Sequence, residues 1–381
     1  MTQAYDVIVL GAGGMGSAAA YHLTKSGQRV LLLEQFEIDH QKGSSYGYSR
    51  IIRYSYDHPA YIALAKAVYP MWSELEADSG EELHITTGGI DFGPAGDAML
   101  ENTFKSVQVM NIHHESLTPA EANKRFPQFH FAEDWRILYQ PDSGLVAPSK
   151  CVKAQIRLAE QRGATVHAHT PVLKVTVNRD NVDIQTAYNS YTAAKLIITA
   201  GAWARTILTP LGLDLPLTPL QTQEAYFQPD NPSEFEPSRF PVFIAHIRRQ
   251  FNDVLYGLPS YENSGVKVGI HGGPRVNHPS EINYTPDPNV IEKIRIFTGK
   301  HIPGANGPLA FTRVCLYTMT PDEHFIIDKH PEYPHVVFAA GFSGHGFKFS
   351  TLVGKIVTEL ALTGSTEHDI SLFSAARFAK V

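Results

Sequence analysis

Short runs of aliphatic and β-branched residues alternate with longer amphipathic stretches along this chain, and the alternation predicts an α/β fold. Asp6-Val7-Ile8-Val9-Leu10 predicts a buried parallel strand, residues 17–26 a helix ended by Gly27, and Val30-Leu31-Leu32-Leu33 a second strand. Residues 60–77 set Leu64, Ala65, Val68, Tyr69 and Trp72 on one face and predict a helix. Further helices are predicted over 97–111, 149–162 and 289–301, and Thr118-Pro119-Ala120-Glu121 has the make-up of a capped helix start. Strands are predicted over 86–92, 136–140, 165–168, 172–178 and 182–186, the last two as a meander. Leu196-Ile197-Ile198-Thr199-Ala200 predicts a buried strand that runs into Gly201. From Pro216 the pattern changes: Pro229, Pro232, Pro237 and Pro241 space short strand-like pieces at 223–228, 254–258 and 266–270, as in an antiparallel sheet. Strands over 311–319, 325–328 and 336–340 and an apolar helix over 349–362 follow.

The turn between the first two strands narrows the reading. Gly11-Ala12-Gly13-Gly14-Met15-Gly16 fits G-x-G-x-x-G, directly after a strand and at the head of a helix. Gly11 allows the tight turn, Gly13 lets backbone approach a pyrophosphate, and Gly16 lets helix and strand pack closely. The helix start then offers free N–H groups to the anion. Glu34, at the end of the second strand, is an acceptor for ribose hydroxyls and disfavours a 2′-phosphate. The motif alone leaves NAD and FAD open. Its companion pieces are scattered, however: Gly201 is a second point of backbone approach, and Val336 to Ala340 leads into a third. That interleaving predicts a Rossmann-type FAD-binding domain from residues 1–85, 145–215 and 310–381. Residues 86–144 and 216–309 would form an inserted α+β substrate (catalytic) domain on an antiparallel sheet.

Composition changes this picture little. A length of 381 residues exceeds one ordinary core and agrees with two domains. A net charge of −6 gives no electrostatic case for nucleic acid or an anionic membrane. No apolar run is long enough for a bilayer, and the chain enters the nucleotide strand at once, so neither a membrane span nor a signal peptide is expected. Two cysteines, Cys151 and Cys315, make neither a disulfide framework nor a zinc site, and no metal is expected. A cytoplasmic enzyme is the default.

Two stretches carry candidate chemistry. Gly43-Ser44-Ser45-Tyr46-Gly47-Tyr48-Ser49 sets small and polar residues beside Arg50-Ile51-Ile52-Arg53, able to lay amides and guanidiniums along a ligand; the plainer alternative is a solvated loop. Gly341 to Lys348 places Gly344 and Gly346 before a helix N-terminus, a positive dipole end for a developing negative charge.

These stretches, with Gly11 to Gly16 and Glu34, Val314-Cys315-Leu316-Tyr317-Thr318 and Pro321 to Asp328, resemble the monomeric sarcosine oxidase family, in order and over essentially the whole chain. That family includes N-methyltryptophan oxidase and the pipecolate oxidases. The resemblance implies FAD attached covalently through Cys315, which on composition alone would read as a small buried hydrophobe. It implies hydride transfer from a secondary-amine amino acid to flavin N5, imine hydrolysis, and reduction of O2 to H2O2. Arg53 and Lys348 match the pair that binds the substrate carboxylate, and Lys267 matches the lysine that activates oxygen. Arg50, Tyr256, His271 and Tyr317 match other active-site positions, and Ser44, Ser49, Gly201 and Lys348 join the cofactor contacts. The implied partners are a small amine and O2, with a monomer as the working form. Tyr46 stands where these enzymes usually carry His, and Tyr54, Tyr56, Asp57 and His58 differ from the sarcosine oxidase pattern. The alternatives weighed against this reading are an FAD-dependent amino acid dehydrogenase with a non-oxygen acceptor, an NAD-linked dehydrogenase, and a non-catalytic nucleotide-binding module.

Overall fold

A computed structural model describes residues 3–247 and 254–378. The N-terminal strand β1 (Gln3–Leu10) lies parallel to β2 (Val30–Leu33), with Val7 beside Val30, and the helix α1 (Gly14–Lys25) crosses between them. Outward from β1 the parallel sheet continues through Ser190–Ile198 to Val336–Ala340, and outward from β2 to Thr165–His167. The expected meander, Val172–Val177 and Val182–Thr186, extends the first half of Ser190–Ile198 in antiparallel fashion. Three helices, α1, Pro148–Gln161 and Ser350–Thr363, cover one face and bury Ala19, Val152 and Leu352 against Val7, Val9 and Leu32. Gly16 is needed for that approach: a Cβ there would lie 1.7 Å from the Gly11 carbonyl oxygen.

The second sheet has eight strands. Its order is Leu309–Met319, Thr218–Phe227, Val266–His271, Val254–Leu258, Val242–Ala245, Gly89–Pro94, Trp135–Gln140, Glu115–Leu117. All pairs are antiparallel except Val242–Ala245 with Gly89–Pro94. One face packs Phe92, Phe227, Phe243 and Val268 against the helix Pro288–His301, which contributes Ile294 and Phe297. The opposite face looks toward the first sheet. Paired residues share a face, so the register sets one row across it: Asp91, Ile244, Tyr256, Gly269, Glu224, Arg313. The neighbouring pairs put Cys315 with Thr222 and Lys267 with Tyr226 on the same face.

One feature departs from the sequence reading, and one alternative weighed against it is set aside. The boundary expected at residue 310 falls inside Leu309–Met319, which is hydrogen-bonded to Thr218–Phe227 along its length. Residues up to 319 therefore lie with the antiparallel sheet, because period-2 apolarity gives no sign of which sheet a strand joins. The stretch around Arg50 is not a solvated loop: Arg50–Ile52 is a strand paired with Gly144–Val146, which also takes His84–Thr86.

Candidate active site

Between the two sheets runs a cavity of about 760 Å³, within the roughly 300–1,000 Å³ of ligand pockets. At one end the glycine turn and the end of β2 meet. Glu34 is buried and accepts from two backbone N–H groups, Ala12 at 2.8 Å and Phe36 at 2.9 Å, which ties the acid to the turn. Each carboxylate oxygen keeps a lone pair for a further donor. The Gly14 amide donates to Ser45 Oγ at 3.0 Å, and Ser44 Oγ donates to the Leu316 carbonyl, so the serine pair joins the turn to the second sheet. Gly11, Gly13, Glu34, Ser44 and Gly201 all border the cavity here. Gly16 does not; its place is the helix–strand contact.

The other end is cationic. Lys348 is buried, and its ammonium donates to Tyr56 Oη at 2.9 Å and to the His345 carbonyl at 2.8 Å. The Arg53 guanidinium lies 4.4 Å from the Tyr56 ring centroid, so both cations converge on one aromatic ring. Burial, and then the neighbouring Arg53, holds the Lys348 ammonium well below the usual lysine range. Among the described residues the one carboxylate paired with Arg53 is Asp91, at 3.4 Å, and Lys348 has none. Asp91 is itself buried and accepts from Ser55 Oγ at 2.7 Å, with His246 Nε2 at 3.1 Å. Burial works against its ionisation, but Arg53 and His246 outweigh that and keep it below the usual carboxylate value. A buried and a part-buried cation against one fixed anion leave a place for a second carboxylate.

The long wall between these ends is the second sheet. Cys315, Tyr317, Tyr256 and His271 border the cavity, and the His271 and Tyr317 rings lie 5.4 Å apart. Burial pushes the Tyr317 hydroxyl up to about 12 and, with help from Glu224, the Cys315 thiol up to about 11. Tyr46 Oη donates to the Val314 carbonyl at 2.8 Å and sits 3.7 Å from Cys315 Sγ. Gly344 and Gly346 border the cavity, and Gly344 packs on this wall: it has φ +80°, and a Cβ there would stand 2.4 Å from the Tyr317 ring.

Lys267, expected from the resemblance to activate oxygen, lies one layer back from the cavity surface. It is fully buried and absent from the cavity lining, held behind Glu224, which does border the cavity. Its ammonium is 2.5 Å from Glu224 Oε2 and donates to the Ser49 carbonyl at 3.0 Å. Ser49, also expected to touch a cofactor, is likewise buried and contributes that carbonyl instead of its hydroxyl. Arg50 borders the cavity and donates to the carbonyls of Ser49 at 2.8 Å, Tyr46 at 2.8 Å and Ser44 at 3.2 Å. Burial and the like charge of Arg50 bring the Lys267 ammonium down to about 8, with Glu224 opposing them.

Sequence reasoning missed Glu224, Ser45, Asp91 and His246. Asp91 did leave a signal, a carboxylate set between Ile90 and Phe92, whereas Glu224 follows Gln221-Thr222-Gln223 and does not stand out in its strand.

The residues present fit a flavin dinucleotide. A glycine turn with a tethered acid stands at one end, and a wall on which Gly344 packs tightly against the Tyr317 ring runs from it to a cation-lined end. The profile of FAD dependent oxidoreductases matches residues 6–360. The chain is 42% identical to the monomeric sarcosine oxidase of Bacillus sp. (strain B-0618), covering 99% of this chain and 97% of that one. It is 35% identical to the peroxisomal sarcosine oxidase of Homo sapiens (98% and 96% covered) and 32% identical to the N-methyl-L-tryptophan oxidase of Yersinia pestis (98% and 99%). Among solved structures, NikD, an amino acid oxidase of nikkomycin biosynthesis, superposes with a TM-score of 0.87 at 25% identity, covering 98% of both chains. The L-proline dehydrogenase of P. horikoshii shares the fold, with a TM-score of 0.87 at 23% identity over 99% and 98% of the two chains.

Proposed function

The chain belongs to the FAD-dependent oxidoreductase family, in the group of the monomeric sarcosine oxidases, and on that premise we propose that it oxidises amino acids bearing a secondary amine. The observation that carries this is the pair of cations, part-buried Arg53 and buried Lys348, at one end of the cavity, with Asp91 paired to Arg53 alone. Arg53 takes the substrate carboxylate through its planar fork, steadied from behind by Asp91, and Lys348 adds a second charge from Tyr56. The carboxylate so held directs the amine along the wall of Tyr317, Tyr256 and His271. Those rings exclude water and let the amine sit there as its free base, the form with a lone pair. Gly11, Gly13, Glu34, Ser44, Ser45 and Gly201 would hold the dinucleotide, and Gly344, Gly346 and Arg50 would flank its ring. FAD supplies the hydride acceptor when bound. Cys315 is the residue for a thioether to it: a thiol on the cavity wall, fixed in a strand, with Arg50 and Lys267 favouring its ionised form against burial.

We take O2 as the electron acceptor, H2O2 as the product, and a cytoplasmic monomer as the working form. One observation favours a second reading, a dehydrogenase with another acceptor: the Lys267 charge is neutralised by Glu224 and withdrawn from the cavity. The test is a panel of sarcosine, N-methyl aromatic amino acids, pipecolate and proline with peroxide readout. Peroxide in step with amine consumption supports the oxidase. Flavin bleaching that recovers with a dye and not with air supports the dehydrogenase. No bleaching by any member refutes both.

A further inference from the structure

We propose that Glu224 is a positioning residue for oxygen reduction: it fixes Lys267 in place and keeps it charged, so that the acid–lysine pair, and not the lysine alone, is the unit beside the cofactor. This rests on the oxidase reading for the step it affects, and on geometry for the assignment.

The register dictates the pairing. Glu224 stands opposite Gly269 on one neighbouring strand and Arg313 on the other, and Tyr226, two residues on, stands opposite Lys267. Glu224 and Lys267 are therefore diagonal neighbours on one sheet face, within reach of long side chains. Gly269 between them brings no side chain, and the Tyr256 ring fills that space instead. Both carboxylate oxygens of Glu224 are used: Oε1 accepts from Tyr226 Oη at 2.9 Å, and Oε2 faces Lys267 Nζ at 2.5 Å. A carboxylate clamped at both oxygens cannot swing, and the ammonium is pinned between it and the Ser49 carbonyl.

The charge balance explains why a clamp is needed. Lys267 is faced by Arg50 from the strand Arg50–Ile52, Glu224 and Tyr226 from Thr218–Phe227, Tyr256 from Val254–Leu258 and Cys315 from Leu309–Met319. Of these Glu224 is the one carboxylate. Arg50 spends its donors on three carbonyls and, among the described residues, forms no ion pair with a carboxylate. Without Glu224, two cations would share a dry site, and the lysine is the one able to give up its proton. A neutral lysine offers no charge to an anion forming from O2. Glu224 thus sets the pH up to which the site holds its cation.

The test uses holoprotein whose flavin is photoreduced without amine and then mixed with oxygenated buffer, so that failure of the substrate reading does not touch it. Wild-type reoxidation should slow as pH rises through about 8, where Lys267 loses its proton. In Glu224→Gln the break should move acid by about one to three pH units, leaving reoxidation at pH 7.5 about 3- to 200-fold slower. Glu224→Asp, a shorter acid, should lie between the two and covers the case in which Glu224→Gln does not fold. Melting of the holoproteins gives a second readout: Glu224→Gln and Lys267→Met should each lower the midpoint, and the double variant should lose less than their sum. An unmoved pH break in both Glu224 variants, or additive melting losses, overturns the proposal. An amine panel without bleaching refutes the oxidase reading and leaves this result standing.

Discussion

Replacing Arg53 by Met keeps the bulk of the side chain and removes its charge, and the structure fixes what should follow. Truncating one partner of a desolvated charge pair costs about 2–5 kcal/mol. The lower half of that range applies here, because Lys348 remains. Its ammonium is held well below the usual lysine range by burial and by Arg53, and the second of these goes with the guanidinium. Asp91 works the other way: it loses the cation 3.4 Å from its Oδ1, and its charge then opposes an incoming carboxylate. The balance is a loss of about 2–3 kcal/mol, a factor of about 30–150 in Kd. The assay titrates holoprotein with acetate-sized and cyclic carboxylates that lack a nitrogen, following the flavin band, with the matching carboxamides as neutral controls. Affinity should also fall as pH rises through the depressed Lys348 pKa, since the ammonium is charged below it. In Arg53→Met that edge should move to higher pH. A Kd within threefold of wild type, or equal loss for carboxylate and carboxamide, would refute the carboxylate role.

Other outcomes follow from the same geometry. Cys315→Ala should leave flavin that washes out of acid-precipitated protein, whereas wild-type precipitate stays yellow; colourless wild-type precipitate would remove the thioether. Lys267→Met should slow aerobic reoxidation by about 10²–10³ while slowing anaerobic reduction by substrate far less, and stopped-flow bleaching and recovery separate the two. Gly344→Ala introduces a Cβ 2.4 Å from the Tyr317 ring at a φ of +80°, so it should lower the melting midpoint, with a cost of about 1–3 kcal/mol, and reduce flavin content.

What could be read from the chain was local. The glycine turn, the strands on either side and Glu34 lie within one stretch of 34 residues, and each fixes the next by short-range sterics. The cation pair was legible only through resemblance, since Arg53 and Lys348 are almost 300 residues apart and nothing in the intervening pattern joins them. The Glu224–Lys267 clamp was not legible at all. It depends on which residues of two strands stand opposite, and a shift by one residue would have sent Glu224 into the aromatic core with Phe227 and Phe243. The same dependence explains Lys267: a lysine in a strand reads as solvated until its partner is known. The strand Arg50–Ile52 was not legible because three residues are too few for a period to show.

The seam between Ser44 and the Leu316 carbonyl has a bearing on how the protein is made. The turn at Gly11 leaves the ribosome early, and Cys315 follows roughly 300 residues later. At about 5–20 residues per second, that gap lasts on the order of 15–60 s. For that interval every nascent copy carries a dinucleotide cradle with one wall missing, and Val336–Ala340, the strand that flanks Ser190–Ile198, is still to come. The complete cradle therefore exists only once residues 336–340 have been made, and flavin supply then competes with whatever removes chains that have folded without it.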